Sequence, residues 1–397
     1  MAKTPLAKAA PADLHDFKSQ PSPPSKAPLD EGIPLLERLL KASADQLRLQ
    51  ILQVLQHDSF GVLELCALFD IKQSAMSHHL KVLSTADLVT TRREGNAIFY
   101  RRALPGSGST SQFVSQLFAT IDAQPYAISL QTAIDRAQRN RSEQSLKFFS
   151  ENSERFKAQQ DLIVDIHDYR DTVDEILDTL IADPSCQRET KQAIEIGPGD
   201  GFYLANLSRR YDHVIALDNA EPMLKRCQQT VQRIGLGQPN TLNSQGKTSY
   251  GKVAFILGDT STFIKLDTEI AALSLPSSSQ SASDSKVKSK VSTAGARKAD
   301  CVVANMVLHH NAKPQAIIED VAQLLAPNGV FVISELCQHD QDWVRDAAGD
   351  VWLGFSEALL DHWASEVKLI KGPSSYTALR NGFSIQILSY IKSQQPI

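Results

Sequence analysis

The residues with the clearest chemistry lie between Gln192 and Asp218. In QAIEIGPGDG, Ala193, Ile194 and Ile196 read as a short buried strand, and Gly197, Gly199 and Gly201 follow it directly, just ahead of the helical pattern FYLANLSRR. A strand that turns into a helix through glycines lets a ligand come close to the backbone at a helix N-terminus, where unpaired N–H groups and the helix dipole favour electron-rich groups. The next apolar run, VIALD, closes on Asp218, 21 positions beyond Gly197. A carboxylate there can accept hydrogen bonds from ribose hydroxyls. Together these residues describe a pocket for a nucleoside cofactor.

A second group could move a proton. His309 and His310 end the run ADCVVANMVLHH, Glu335 ends LLAPNGVFVISEL, and His339 and Asp340 follow shortly after. A histidine near its ordinary pKa of about 6.5 can act as a base, although a His-His pair after a strand serves equally as a structural hydrogen-bonding unit.

These groups need a scaffold that gathers strand ends. From Gln192 onward, strands and helices alternate, which predicts a parallel doubly wound sheet with ligands at the carboxyl ends of its strands. EPMLKRCQQTVQRI is an amphipathic helix with Pro222 in its first turn, VAFILGD a third strand, ADCVVAN a fourth and GVFVISEL a fifth. YTALR, Asn381-Gly382 and FSIQILSYI form a hairpin signal. The glycines fall as G-x-G-x-G behind Glu195, whereas a dinucleotide site wants G-x-G-x-x-G. With the terminal hairpin, this resembles the class I S-adenosylmethionine methyltransferases: a Rossmann-like domain with a seven-stranded sheet ending in an antiparallel hairpin. The resemblance implies S-adenosylmethionine as cofactor, held by Glu195, Gly197, Gly199, Gly201, Asp218, Asn219, Met223, Asp259, Thr260 and Asn305. It places Met223 against ribose and adenine, and Asp259 on the adenine amino group. Candidate catalytic residues are His309, His310, Glu335 and His339.

The N-terminal part follows another plan. Helical spacing starts at Ile33, VLELCALFD fits a second helix, and a third is expected to begin at Ser74 as N-cap. VTTRRE, Gly95-Asn96 and AIFYRR then make a two-stranded wing. SADQLRLQILQVL, QSAMSHHLKVLSTADLV and TRREGNAIFYR resemble the arsenical-repressor (ArsR) family of winged helix-turn-helix regulators. The resemblance implies that Gln73, Ser74, Ser77 and His78 reach base edges and that Lys81, Arg92 and Arg93 meet phosphates. Leu80 and Leu83 face the other way, towards a core. Residues 34–104 hold nine Lys/Arg against seven Asp/Glu, a modest local excess. Cys66 stands alone in ELCALFD, with Leu68 where metal-responding relatives place a second cysteine, so no metal is expected.

The boundaries expected are a flexible Pro-rich tail over 1–32, the winged helix over 33–104, a helical linker and pocket lid over 105–185, and the methyltransferase domain over 186–397. Residues 277–298, with eight Ser and five Lys/Arg, read as a disordered surface insertion. The apolar stripe Phe113, Val114, Leu117, Phe118 and Ile121 could pair two subunits or pack within one chain. Phe148, Phe149 and Phe156 would roof the pocket. Five cysteines without C-x-x-C spacing suit a reducing cytosol, and no apolar run is long enough to span a membrane. A net charge of −4 gives no global pull towards nucleic acid.

The resemblance therefore implies a cytoplasmic, homodimeric regulator binding a palindromic DNA operator, fused to a methyltransferase of unknown acceptor. Arsenite is disfavoured as acceptor because the cysteines do not cluster. A second reading stays open, in which S-adenosylmethionine or its demethylated product is a signal that shifts DNA affinity without turnover.

Overall fold

The computed structural model describes residues 32–393 apart from 95–96, 105, 107, 109, 185–188, 237–238, 241–247, 251 and 266–297. The tail expected over 1–32 and the insertion expected over 277–298 lie outside the described residues, except for Gly32 and Lys298.

The N-terminal unit contains α1 (Gly32–Ser43), α2 (Gln46–Val54), α3 (Val62–Phe69) and α4 (Gln73–Thr85). Beside them, β1 (Phe60–Gly61), β2 (Val89–Glu94) and β3 (Ala97–Arg102) form an antiparallel sheet in the order β1-β3-β2. This is a winged helix-turn-helix. The Asp45 side chain caps α2 by accepting from the Arg48 backbone N–H at 3.0 Å. The N-cap expected at Ser74 is corrected: α4 starts at Gln73 behind Lys72, without a side-chain cap. Its first turn is exposed, so water can satisfy the free N–H groups. Met76, Leu80 and Leu83 point inward with Leu52, Leu55 and Leu65.

Among its described residues the linker holds four α-helices: α5 (Ser111–Asp122), α6 (Ile128–Asn152), α7 (Phe156–Gln160) and α8 (Arg170–Ala182). The apolar stripe of α5 packs within the chain, with Phe118 and Ile121 buried in the winged-helix core. Arg102 fastens it there, donating to both carboxylate oxygens of Asp122 at 2.7 and 2.8 Å and to the Leu52 carbonyl at 2.6 Å.

The C-terminal sheet holds β4 (Gln192–Ile196), β5 (His213–Asp218), β6 (Pro239–Asn240), β7 (Thr248–Tyr250), β8 (Val253–Leu257), β9 (Ala299–Asn305), β10 (Leu325–Leu336), β11 (Leu369–Ala378) and β12 (Ser384–Lys392). Their spatial order is β11-β12-β10-β9-β4-β5-β8-β7-β6. The seven expected strands are present, and β12 runs antiparallel between β10 and β11. The short strands β6 and β7 extend the sheet antiparallel beyond β8, pairing an edge that would otherwise expose its backbone groups. Every residue of β4 and β9 is buried, as central parallel strands covered on both faces require. The strand order reverses between β4 and β9, and a crevice for a ligand opens at such a point. Among the described residues no helix is long and apolar enough to cross a membrane.

The two domains meet along a seam. Arg101 of β3 lies over the Trp363 ring at 4.7 Å, Arg141 of α6 over Trp352 at 5.1 Å, and Phe99 meets Trp352 edge-on at 5.9 Å. Arg141 also binds Asp58 and Glu64 of the winged helix, at 3.1 and 2.6 Å.

Candidate functional site

The turn after β4 is built by its glycines. Gly197, Gly199 and Gly201 all have positive φ, at 58°, 54° and 77°, the left-handed region that favours glycine. A Cβ on Gly197 would lie 2.8 Å from Val307, and one on Gly201 2.6 Å from the Cys227 sulfur. Gly199 has nothing within 4 Å, so its missing side chain leaves open space beside the backbone.

That space belongs to two cavities sharing Gly197, Gly199 and Met306. One is walled by Asp218, Asn219, Met223, Phe149, Val307 and His310; the other by Glu195, Asn305, Asp200, Phe202, Tyr169 and Lys157. Seven of the ten expected cofactor residues thus line these cavities, and Gly201 supports the turn from behind. Met306 has a φ of 56°, a strained conformation for a side-chain-bearing residue and one found where a site constrains the backbone.

Burial sets the electrostatics. It pushes the Asp218 carboxyl up to about 6, against the N–H donors of Ala220 and Asn219; the Ala220 bond is 2.8 Å. It pushes Glu195 up to about 8. Glu195 accepts from Asn305 at 3.4 Å, and Asn305 in turn accepts from the Ser334 hydroxyl at 2.9 Å. Arg226 ties the loop to the end of α6: it pairs with Asp200 and donates to the Ser153 carbonyl at 2.8 Å.

Asp259 and Thr260 depart from expectation, since neither lines these cavities. The Asp259 carboxylate caps the helix that opens at Thr260, accepting from the Ser261 hydroxyl at 2.9 Å and the Thr262 N–H at 2.7 Å. The buried Thr260 hydroxyl donates to Asp320. Local capping thus satisfies Asp259, and a bond to a distant helix satisfies Thr260.

The four candidate bases separate. His309 and Glu335 are sealed in, at 2% and 0% exposure, which corrects the expectation that they face a reacting group. His309 Nδ1 lies 2.5 Å from Glu335, while its Nε2 side faces Asp350 at 3.9 Å. Burial opposes charge on His309, but the two carboxylates outweigh it and raise its pKa. Of the four, only His310 lines the cavity walled by Asp218, with Phe149 edge-on at 4.9 Å. Burial, and then the charge on His309, holds it well below the usual imidazole range. His339 packs edge-on against Phe383 at 4.8 Å, away from both cavities, and burial lowers it to about 4.

On the winged helix, Gln73, Ser74, Ser77, His78 and Lys81 share the exposed face of α4, and Arg93 is exposed on β2. Arg92 is the correction. Its guanidinium donates to the Gly354 carbonyl at 2.7 Å and sits over the Trp352 and Phe355 rings at 5.7 and 6.0 Å. In this arrangement it joins the domains instead of facing a phosphate. Of the aromatic lid, Phe149 reaches the cofactor cavity and Phe148 a seam cavity, whereas the Phe156 side chain lies outside the described residues.

Sequence reading missed Asp200, Tyr169, Lys157 and Asp350. Asp200 carried a signal, because it stands inside the glycine motif. The others are distant in sequence from it, and no spacing rule joins them.

Residues 164–380 match the family model described as methyltransferase domain, and residues 45–91 match that of the bacterial regulatory protein, arsR family. The biofilm growth-associated repressor of Agrobacterium fabrum is 41% identical over 90 residues, covering 20% of this chain and 77% of that protein. The transcriptional activator HlyU of Vibrio cholerae is 45% identical over 62 residues, covering 16% and 57%. Among solved structures, the N-methyltransferase NodS from Bradyrhizobium japonicum, in complex with S-adenosyl-L-homocysteine, is 12% identical with a TM-score of 0.36, covering 60% of this chain and 97% of that one. Magnesium protoporphyrin IX methyltransferase from Synechocystis is 16% identical with a TM-score of 0.40, covering 62% and 97%. With more than half of its length matched by one model, and with its regulator segment 41% identical to a repressor of which it covers 77%, the chain belongs to the methyltransferase-domain family and carries an N-terminal domain of the bacterial arsR regulatory family.

Proposed function

We propose that the chain is a DNA-binding regulator whose second domain binds S-adenosylmethionine and transfers its methyl group to an acceptor. The observation that carries this reading is the arrangement of left-handed Gly197 and Gly199 and the Asp218 carboxylate around one cavity. The residues present fit the cofactor. Asp218 would accept from the ribose hydroxyls, and Met223 and Phe149 offer apolar walls for the base. The Gly197–Gly199 backbone, with Glu195 and Asn305 beneath it, would hold the amino-acid end. The cofactor, when bound, supplies an electrophilic methyl group on a sulfonium, so the protein's tasks are positioning and removal of any proton on the nucleophile. Of the four candidate bases, His310 alone stands in the wall of that cavity.

A second reading, ligand sensing without turnover, has its own support. The Val351 and Trp352 N–H groups donate to the His309 carbonyl at 2.9 and 3.0 Å, and the next residues of that loop hold Arg92 of the wing. A ligand that favours one position of the His309–His310 turn would thereby bias the winged helix. DNA-binding titrations with and without S-adenosylmethionine and S-adenosylhomocysteine, run beside a labelled-methyl assay, separate the readings. Labelled product with unchanged DNA affinity supports the enzyme, whereas shifted affinity without product supports the sensor. No binding of either ligand overturns both.

A further inference from the structure

We propose that His309, His310 and Asp350 form a site for one divalent transition-metal ion of the zinc class, ligated through His309 Nε2, His310 Nδ1 and a carboxylate oxygen of Asp350. The three donor atoms all lie within 4.8 Å of one another. Asp350 Oδ1 is 3.5 Å from His310 Nδ1 and 3.9 Å from His309 Nε2. The latter spacing is too long for a hydrogen bond. Ligands held at about 2.0 to 2.2 Å from one ion lie roughly 3 to 4 Å apart, so an ion would draw the three side chains inward by up to about an ångström.

Three further features point to a cation there. The Asp350 side chain is fully enclosed, and neither of its oxygens has a hydrogen-bond partner among the described residues, a costly state for a carboxylate left without compensation. Glu335 is placed as metal-ligating histidines require: its carboxylate holds His309 Nδ1 at 2.5 Å and accepts from the His309 and Leu336 N–H groups at 3.2 and 2.7 Å. That turns His309 Nε2 towards Asp350, in the carboxylate–histidine–metal pattern. Finally, in place of a proton on His309, one divalent ion with two neutral imidazoles would offset the two enclosed carboxylates, with Arg345 as the other cation beside Asp350. Two nitrogens and one oxygen suit Zn²⁺, and Co²⁺ as its spectroscopic substitute. The site uses no cysteine. It fastens the cofactor-cavity wall, through His310, to the start of the loop that grips Arg92.

The test uses the full chain, stripped with a chelator and titrated with Co²⁺ under visible absorption, then with Zn²⁺ in competition. We expect one Co²⁺ per chain, displaced by Zn²⁺. Asp350→Asn and His310→Ala should each weaken binding by on the order of 100-fold, and Glu335→Gln by about 10- to 100-fold. His339→Ala, a neighbouring histidine outside the cluster, should bind as the unaltered chain does. Absence of Co²⁺ binding to the unaltered chain overturns the proposal, as does binding indifferent to both Asp350→Asn and His310→Ala. Circular dichroism identifies a variant that fails to fold, in which case the other decides. None of these readouts depends on S-adenosylmethionine, so failure here is distinct from failure of the proposed function.

Discussion

Arg92 donates to the backbone carbonyl of Gly354 at 2.7 Å across 262 positions of sequence. The acceptor is aimed by its own backbone: Gly354 has a φ of 69°, and a Cβ there would lie 2.4 Å from the Cys337 carbonyl oxygen. The same loop reaches His309 through the Val351 and Trp352 N–H groups. One short segment therefore touches both the wing and the turn that carries His310.

Arg92→Ala should loosen this seam. It removes a charge-assisted hydrogen bond and a guanidinium–aromatic contact, together on the order of 1 to 3 kcal/mol at a partly buried site. Differential scanning fluorimetry should show a fall in Tm of a few degrees, and amide exchange should quicken over 350–355. An unchanged Tm with unchanged exchange would show that this hydrogen bond holds nothing.

Lys81→Ala and Arg93→Ala should act on DNA alone. Both residues are exposed on the winged helix. Deleting either cation should free one phosphate and reduce the slope of log affinity against log salt by about 1, equally for all sequences. His78→Ala, on the face of α4 assigned to bases, should instead change sequence preference. Fluorescence anisotropy over a salt series distinguishes the two, and a changed preference in Arg93→Ala would contradict its phosphate role.

Asp218→Ala should weaken S-adenosylmethionine binding by about 10- to 100-fold, the worth of hydrogen bonds to a charged acceptor. Burial raises this carboxyl from 3.8 to about 6, so the charged acceptor is populated only above that pH. Affinity measured by calorimetry should accordingly rise between pH 5 and pH 7 in the unaltered chain and stay flat in Asp218→Ala. Gly197→Ala should also lose binding, through the 2.8 Å approach to Val307.

Glu195 should make stability fall as pH rises. Its pKa is raised from 4.5 to about 8 in the folded chain. Between those values the folded state holds a proton that the unfolded state has released, so stability declines with pH across that window. Its contribution is greatest below 4.5 and is lost by about 8. Glu195→Gln keeps the shape and removes the titration. Denaturant melts at pH 5, 6.5 and 8 should show a shallower decline in the variant, and parallel curves would refute the assignment.

The N-terminal winged helix and the sheet were legible because their signals are local. Alternating apolar residues specify strands, glycines beside strand ends specify left-handed turns, and both act within a few residues. The edge strands β6 and β7 were not foreseen, since pairs of two or three residues carry too little periodicity to read. The role of Asp259 was not legible, because a strand-end carboxylate looks the same whether it meets a ligand or caps the following helix.

By itself, the sequence determined the two kinds of domain, the glycine turn and Asp218 opposite it. Tertiary structure alone decided that His309 and Glu335 are sealed together, that Asp350 joins them, and that Arg92 holds Gly354 on the other domain. These pairings join residues far apart in the chain. They rest on a balance between the cost of removing charged groups from water and their attraction to the partners they meet there, a balance that no local pattern of side chains encodes.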